Sequence, residues 1–379
     1  MAITDPNTVL IIGAGASVPF GLPLGGKLID LIADQLAMEI LFLESQFSQK
    51  YSDHLMAAGY RNDKSIRPES LLLASVIAEI DITIWRPDPA VLESCLDKMT
   101  KLRDLLRNQT SETIDDFIAI NPSVSDITKL AVATIFFHRL YEPNPKPPSK
   151  WVLHDLSVRH FGQTERRNWV HHLINLIRHN NFPRTETLKK VKIINFNYDG
   201  LVEDILEEQF DNTEENFGDW REYVEIVHPH GFMGIPEKET EDPVALIRSL
   251  ADNICVVRER CVPPEVMQDR DTARHWIKFS REVYMVGFAL SGPNADMLGL
   301  GSYENLPQKW FAANFDGSSG FRRNVMGYER KVIDEIPNQL GEHEPTKGHI
   351  DIEIEPGSRD DPLHIDTWFQ INIPGQQPA

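Results

Sequence analysis

Hydrophobic residues in this chain fall into three patterns. Short apolar runs that stop at turn residues occupy 9–12 before Gly13, 191–195, 223–227 and 282–288. Their length and flanks predict buried strands. Longer stretches repeat at helical spacing. Leu24, Leu28, Leu31, Ile32, Leu36, Ile40 and Leu43 predict a helix from 24 to about 47. Asp88 and Pro89 read as the N-cap and first residue of a helix carrying Leu92, Leu96, Met99 and Leu105. Further helices are expected at 114–120, 126–140, 166–179 and 199–210, the last with Leu201, Val202, Ile205, Leu206 and Phe210 on its apolar face. The proline-rich stretch 142–149 cannot continue a helix. In the third pattern Ile350, Ile352 and Ile354 alternate with Asp351, Glu353 and Glu355, and 367–373 is β-rich, which predicts a hairpin or small β-appendage. Strands alternating with helices argue for a parallel sheet. The largely helical region 24–182 separates the first strand from the second, so it is expected to be an insertion.

Composition narrows the possible partners. Lys and Arg number 38 against 57 Asp and Glu, a net charge of −19. Such a surface repels phosphate backbones, and direct nucleic-acid binding is not expected. Arg166-Arg167 and Lys189-Lys190 are short clusters that read as solvated helix faces. The three cysteines, Cys95, Cys255 and Cys261, make no disulfide framework and point to a reducing cytoplasm. Asp5 precedes an apolar run too short for a signal peptide. The most apolar stretches, 71–80 and 131–137, fall short of the ~20 residues that span a bilayer, so no membrane association is expected.

Chemistry-bearing residues cluster at the expected strand ends. Gly13-Ala14-Gly15-Ala16-Ser17 follows the first strand, and Asn195-Phe196-Asn197-Tyr198-Asp199 the second. His228-Pro229-His230-Gly231 follows the third, and Gly287-Phe288-Ala289-Leu290-Ser291 lies at the end of the fourth, with Asp296 beyond. Carboxyl ends of parallel strands share one edge, where ligands bind. Gly13 suits a tight turn, and Gly15 would let the backbone approach a pyrophosphate, with the N–H groups of a following helix facing the anion. Val18 stands where a dinucleotide fingerprint has its third glycine, and no acidic residue follows on a second strand ~20 residues on, which disfavours a hydride-transfer dehydrogenase. Asp199 also sits where a helix N-cap belongs. His228 and His230 share a strand face but have no further ligand nearby, and the spacing of Cys255 and Cys261 fits no common zinc pattern.

Taken in order, Gly-Ala-Gly-x-Ser, Asn-x-Asp and His-Gly after successive strands resemble the sirtuin family over roughly 8–20, 190–235 and 280–296. The resemblance implies an α/β fold with a Rossmann-like parallel sheet, a large helical insertion at about 24–182 and a small C-terminal β-appendage. It implies one NAD-binding domain over 1–300 and a C-terminal extension over 301–379 for oligomer or partner contacts. Catalytic roles fall on His230, Asn197 and Asp199. NAD contacts fall on Gly13, Ala14, Gly15, Ser17, Asn195, Gly231, Gly287 and Ser291, with NAD+ as substrate. Asp115-Asp116-Phe117 resembles a short acidic-aromatic motif in the insertion of bacterial sirtuin-like proteins. The paired cysteines that hold zinc in deacylating sirtuins are missing, so no metal is expected. The long insertion instead resembles the sirtuin-like NAD hydrolases of bacterial anti-phage defence, which act by depleting NAD (abortive infection). That likeness implies a homo-oligomer and a HerA-type ring ATPase or Argonaute-type partner. A zinc-less protein deacylase and a non-catalytic nucleotide-sensing subunit are the alternatives.

Overall fold

The computed structural model describes residues 7–47, 71–79, 88–111, 113–143, 150–153, 169–181, 190–211, 218–235, 237–257, 259, 262–288, 292–300, 309–314 and 351–356. Strand β1 (Thr8–Ile12) runs into a 3-10 turn (Ala14–Phe20). Helices α1 (Gly25–Phe47), α2 (Leu72–Ala78), α3 (Pro89–Arg107), α4 (Ile114–Ile120) and α5 (Ser125–Leu140) follow. Next come β2 (Tyr141–Pro143), β3 (Trp151–Leu153), α6 (Trp169–Asn181), β4 (Val191–Asn195), α7 (Leu201–Asp211) and β5 (Val224–Val227). The remaining described elements are β6 (Glu239–Thr240), α8 (Pro243–Asp252), α9 (Pro264–Phe279), β7 (Glu282–Val286), α10 (Gly292–Leu298), β8 (Lys309–Asn314) and β9 (Asp351–Pro356).

The chain divides into two compact units. The first comprises Met1–Leu22, Asp155–Ile235 and Val257–Ala379. Its six-stranded sheet has the order β5-β4-β1-β7-β8-β9, and every neighbouring pair is parallel. Ranked by position in the chain, these strands read 3-2-1-4-5-6, the order of doubly wound dinucleotide-binding sheets. The order reverses between β1 and β7, which makes the carboxyl end of that pair the switch point where ligands bind in such sheets. All five residues of β1 are buried, as the uninterrupted apolar run requires of a central parallel strand. Val9, Ile11, Ile194, Ile277, Val283, Met285 and Trp310 belong to one core cluster.

Two strand assignments differ from the sequence reading. The alternating stretch at 350–355 is a strand, and among the described residues it pairs in parallel with β8 in the main sheet. Alternation reports which residues share a face; it carries no information about the partner strand. Strand β8 (Lys-Trp-Phe-Ala-Ala-Asn) is not among the expected strands; half of its four-residue apolar run is alanine, a residue depleted in strands. The β-rich stretch 367–373 lies outside the described residues.

The second unit comprises Pro23–His154 and Pro236–Val256. Helix α1 packs on α3, and α8 packs on α5. A small antiparallel sheet, β2-β3-β6, accompanies the helices. The helical region expected over 24–182 is therefore divided: α6 belongs to the first unit, and α8 and β6 return to the second from beyond β5. Asp88 caps α3 through Ala90 N at 2.8 Å, with Pro89 opening the helix. Glu39 is buried and closes the start of α2, accepting from Leu73 N at 3.2 Å and Ala74 N at 2.7 Å. Burial pushes its carboxyl up to about 7, against the pull of Gln35 and those two amides. Beside it, burial and then the Glu39 charge push the Cys95 thiol up to about 12. Among the described residues, no helix is long and apolar enough to cross a membrane.

Candidate functional site

The turn after β1 is locked to the turn after β7. Gly13 N donates to Val286 O and Gly15 N to Gly287 O, both at 3.0 Å, and Ala16 N donates to Gly13 O at 2.8 Å. A Cβ on Gly13 would lie 2.7 Å from Gly287 O, and one on Gly15 would lie 2.7 Å from Gly287 Cα. Gly287 has φ +62°, and a Cβ there would lie 2.1 Å from Ala16 N. These glycines let two backbones interlock. The space a side chain would need at Gly15 is filled by Gly287, and the amides of 13, 15 and 16 are satisfied within the protein. The element that follows is a 3-10 turn, while the long helix starting at Gly25 belongs to the second unit. Trp169, fully buried on α6, donates from Nε1 to Ala16 O at 2.9 Å and braces the turn from behind.

Ser17 joins this turn to the end of β4. Its hydroxyl donates to Asp199 Oδ2 at 3.0 Å and accepts from Asn197 Nδ2 at 2.8 Å. Asn197 N donates to Asn195 Oδ1 at 3.0 Å. All four side chains are buried. Two of their polar atoms, Asn195 Nδ2 and Asn197 Oδ1, have no hydrogen-bond partner among the described residues. Asp199 Oδ1 also accepts from Leu201 N at 3.3 Å, so the residue is both helix cap and network member. Burial pushes its carboxyl up to about 6; Ser17, Leu201 N and His228 pull it down, and Glu203 adds to the rise.

The loop after β5 carries both histidines. His230 is buried, with Nε2 3.1 Å from Asn294 Oδ1 on α10. An amide oxygen only accepts, so this contact puts a proton on Nε2. The His230 ring stands edge-on to Phe196 (5.0 Å, 88°) and lies over Tyr198 (5.8 Å, 29°). His228 pairs with Glu203 at 2.8 Å and stacks on Phe232 at 4.3 Å. Helix α9 holds the loop backbone: Asp269 accepts from His228 N, and Arg270 Nε donates to Pro229 O, each at 2.8 Å. Gly231 turns the chain at φ +79°, and Met233 N returns to Tyr198 O at 3.0 Å.

Thus Gly13, Gly15, Ser17, Asn195, Asn197, Asp199 and Gly287 form one connected group at the switch point. His230 and Gly231 adjoin it through Phe196 and Tyr198. Ala14 lies in the 3-10 turn, half-buried. Ser291 lies outside the described residues, as does Cys261. Asp115 and Asp116 sit in the first turn of α4 in the second unit, where Asp116 N donates to the Thr113 hydroxyl at 3.2 Å in an N-cap. Cys255 is buried in the second unit. No group of three or more His, Cys, Asp or Glu among the described residues could hold a metal ion.

Glu203, Asn294, Arg270 and Trp169 were not singled out from sequence. For Glu203 a signal existed: it falls on the same helical stripe as Leu206 and Phe210, an acid where the pattern asks for an apolar residue. No protein-family model matches the chain, and no curated protein matches it.

Proposed function

We propose that this chain hydrolyses the bond between nicotinamide and ribose in NAD+, releasing nicotinamide and ADP-ribose. The observation that carries the reading is the Ser17–Asn197–Asp199 network at the switch point of a 3-2-1-4-5-6 sheet, with His230 on the neighbouring strand end. The sirtuin resemblance of the same segments supports it. Cleavage passes through an oxocarbenium-like state, and nicotinamide leaves as a neutral molecule. Such a reaction needs orientation, a base and a placed water more than a strong acid. His230 takes a proton from the attacking water as its oxygen bonds to C1′. Asn197, with its Oδ1 uncommitted, orients the carboxamide, ribose or water. Ionised Asp199 stabilises the developing positive charge. The interlocked Gly13–Ser17 and Gly287 turns form the floor beneath the dinucleotide.

Asn197, Asp199 and His230 are 5%, 3% and 2% exposed, which supports a closed resting state that opens to admit NAD. Unrestrained NAD loss kills a cell, so gating suits an NAD-depleting effector of anti-phage defence. A homo-oligomer, with a HerA-type ring ATPase or an Argonaute-type partner, is the assembly this reading favours. The test is incubation of the protein with NAD, alone and with the products of neighbouring genes, following nicotinamide release. His230→Ala should slow release by about 10²–10⁴-fold. Release at the parental rate by a folded His230→Ala protein overturns the assignment.

A further inference from the structure

Two buried carboxyls, Asp199 and Glu203, stand four residues apart where α7 begins, each 3% exposed. Burying like charges together is unfavourable, and a counter-group is needed. His228 supplies it, with Nε2 2.8 Å from Glu203 Oε1 across 25 positions of chain. One end of this bond lies one helical turn beyond Asp199, and the other lies two residues before His230. The bond therefore ties the Asn-Tyr-Asp segment to the histidine loop.

The pair is costly as a stability device. Glu203 Oε2 and His228 Nδ1 are buried without a partner among the described residues, which is unfavourable for each atom. Well-packed apolar residues of similar volume commonly replace a buried ion pair at no loss of stability. On stability grounds the pair has no advantage over apolar packing. Resting on the hydrolase reading above, we propose that Glu203 and His228 are positioning residues. They form a buried strut that sets the spacing between Asp199 and His230.

Three variants test the strut, read by kcat and KM for NAD cleavage and by thermal melting. Glu203→Ala should lower kcat by about 10²-fold, the cost of a misplacement near 1 Å, with KM little changed. Glu203→Gln keeps an acceptor for His228 Nε2 and should stay within about fivefold of the parent. The double variant Glu203→Leu with His228→Phe should melt no lower than the parent yet turn over as slowly as Glu203→Ala. Parental kcat in folded Glu203→Ala or in the double variant overturns the proposal. So does a change confined to KM, a Glu203→Gln protein as slow as Glu203→Ala, or failure of all three to fold. A parent protein that leaves NAD intact overturns the hydrolase reading and this inference with it. A parent that cleaves NAD, matched by its variants, overturns this inference alone.

Discussion

The two units treat their buried polar groups differently. In the helical unit, Ser75, Thr128 and Thr134 each return a hydroxyl to the carbonyl four residues back, at 2.9, 2.7 and 2.8 Å. Glu39 closes a helix start. Each of these bonds ends on backbone. In the sheet unit, Ser17 reaches across 182 positions to Asp199, and Asn197 across 180 to Ser17. These bonds join side chain to side chain, and beside them Asn197 Oδ1 and Asn195 Nδ2 have no partner among the described residues. Unmatched buried atoms occur in both units, Gln109 Oε1 and Ser111 Oγ being in the helical one, but the long-range side-chain network with spare amide atoms belongs to the sheet unit. The contrast fits the site proposed in the sheet unit.

The largest expected effect would separate the two units outright. His230→Ala or Asn197→Ala should cut NAD cleavage by about 10²–10⁴-fold while melting stays near the parent's, whereas substitutions in the helical unit should leave turnover intact. Comparable losses from both units in a nicotinamide-release assay would dissolve the distinction. Next in size is Gly287→Ala. It forces a side chain into left-handed backbone and against Ala16 N, and should cost roughly 2–5 kcal/mol in denaturant unfolding.

Acidity sharpens the comparison further. Burial raises both Glu39, to about 7, and Asp199, to about 6. A carboxyl raised in the fold stabilises fully below its unfolded value and loses that contribution as pH climbs through its folded value. Stability should therefore decline from about pH 4 to 7 through these two groups. Glu39→Gln should flatten the upper part of that decline, a change on the order of 3 kcal/mol, without altering the pH dependence of turnover. The Asp199 signature is opposite in kind: kcat/KM should fall below about pH 6, as the carboxylate that stabilises positive charge takes up a proton. The smallest effect is expected of Thr128→Val, about 0.5–1 kcal/mol in melting experiments and none on turnover.

Much of this arrangement was legible beforehand. Strands β1 and β4 announce themselves by apolar runs that end at Gly13 and Asn195, and α3 by Asp88-Pro89. The Ser17, Asn197 and Asp199 segments stand at expected strand ends, and the parallel order brings them together. The reason for the glycines was not legible, because the backbone filling the space at Gly13 and Gly15 comes from Gly287, more than 270 positions away. Strand partners beyond β7 and the return of α8 to the helical unit were equally hidden, since periodicity describes an element's faces and not its neighbours. Glu203 escaped because an acid in a first helical turn ordinarily reads as a favourable partner for the helix dipole.

Because β1 is the first described strand and takes its partners from β4 and β7, it emerges from the ribosome long before either neighbour exists. At about 5–20 residues per second, tens of seconds separate synthesis of Ser17 from synthesis of Asn294. A nascent or prematurely terminated chain holds the glycine turn but nothing for it to lock against.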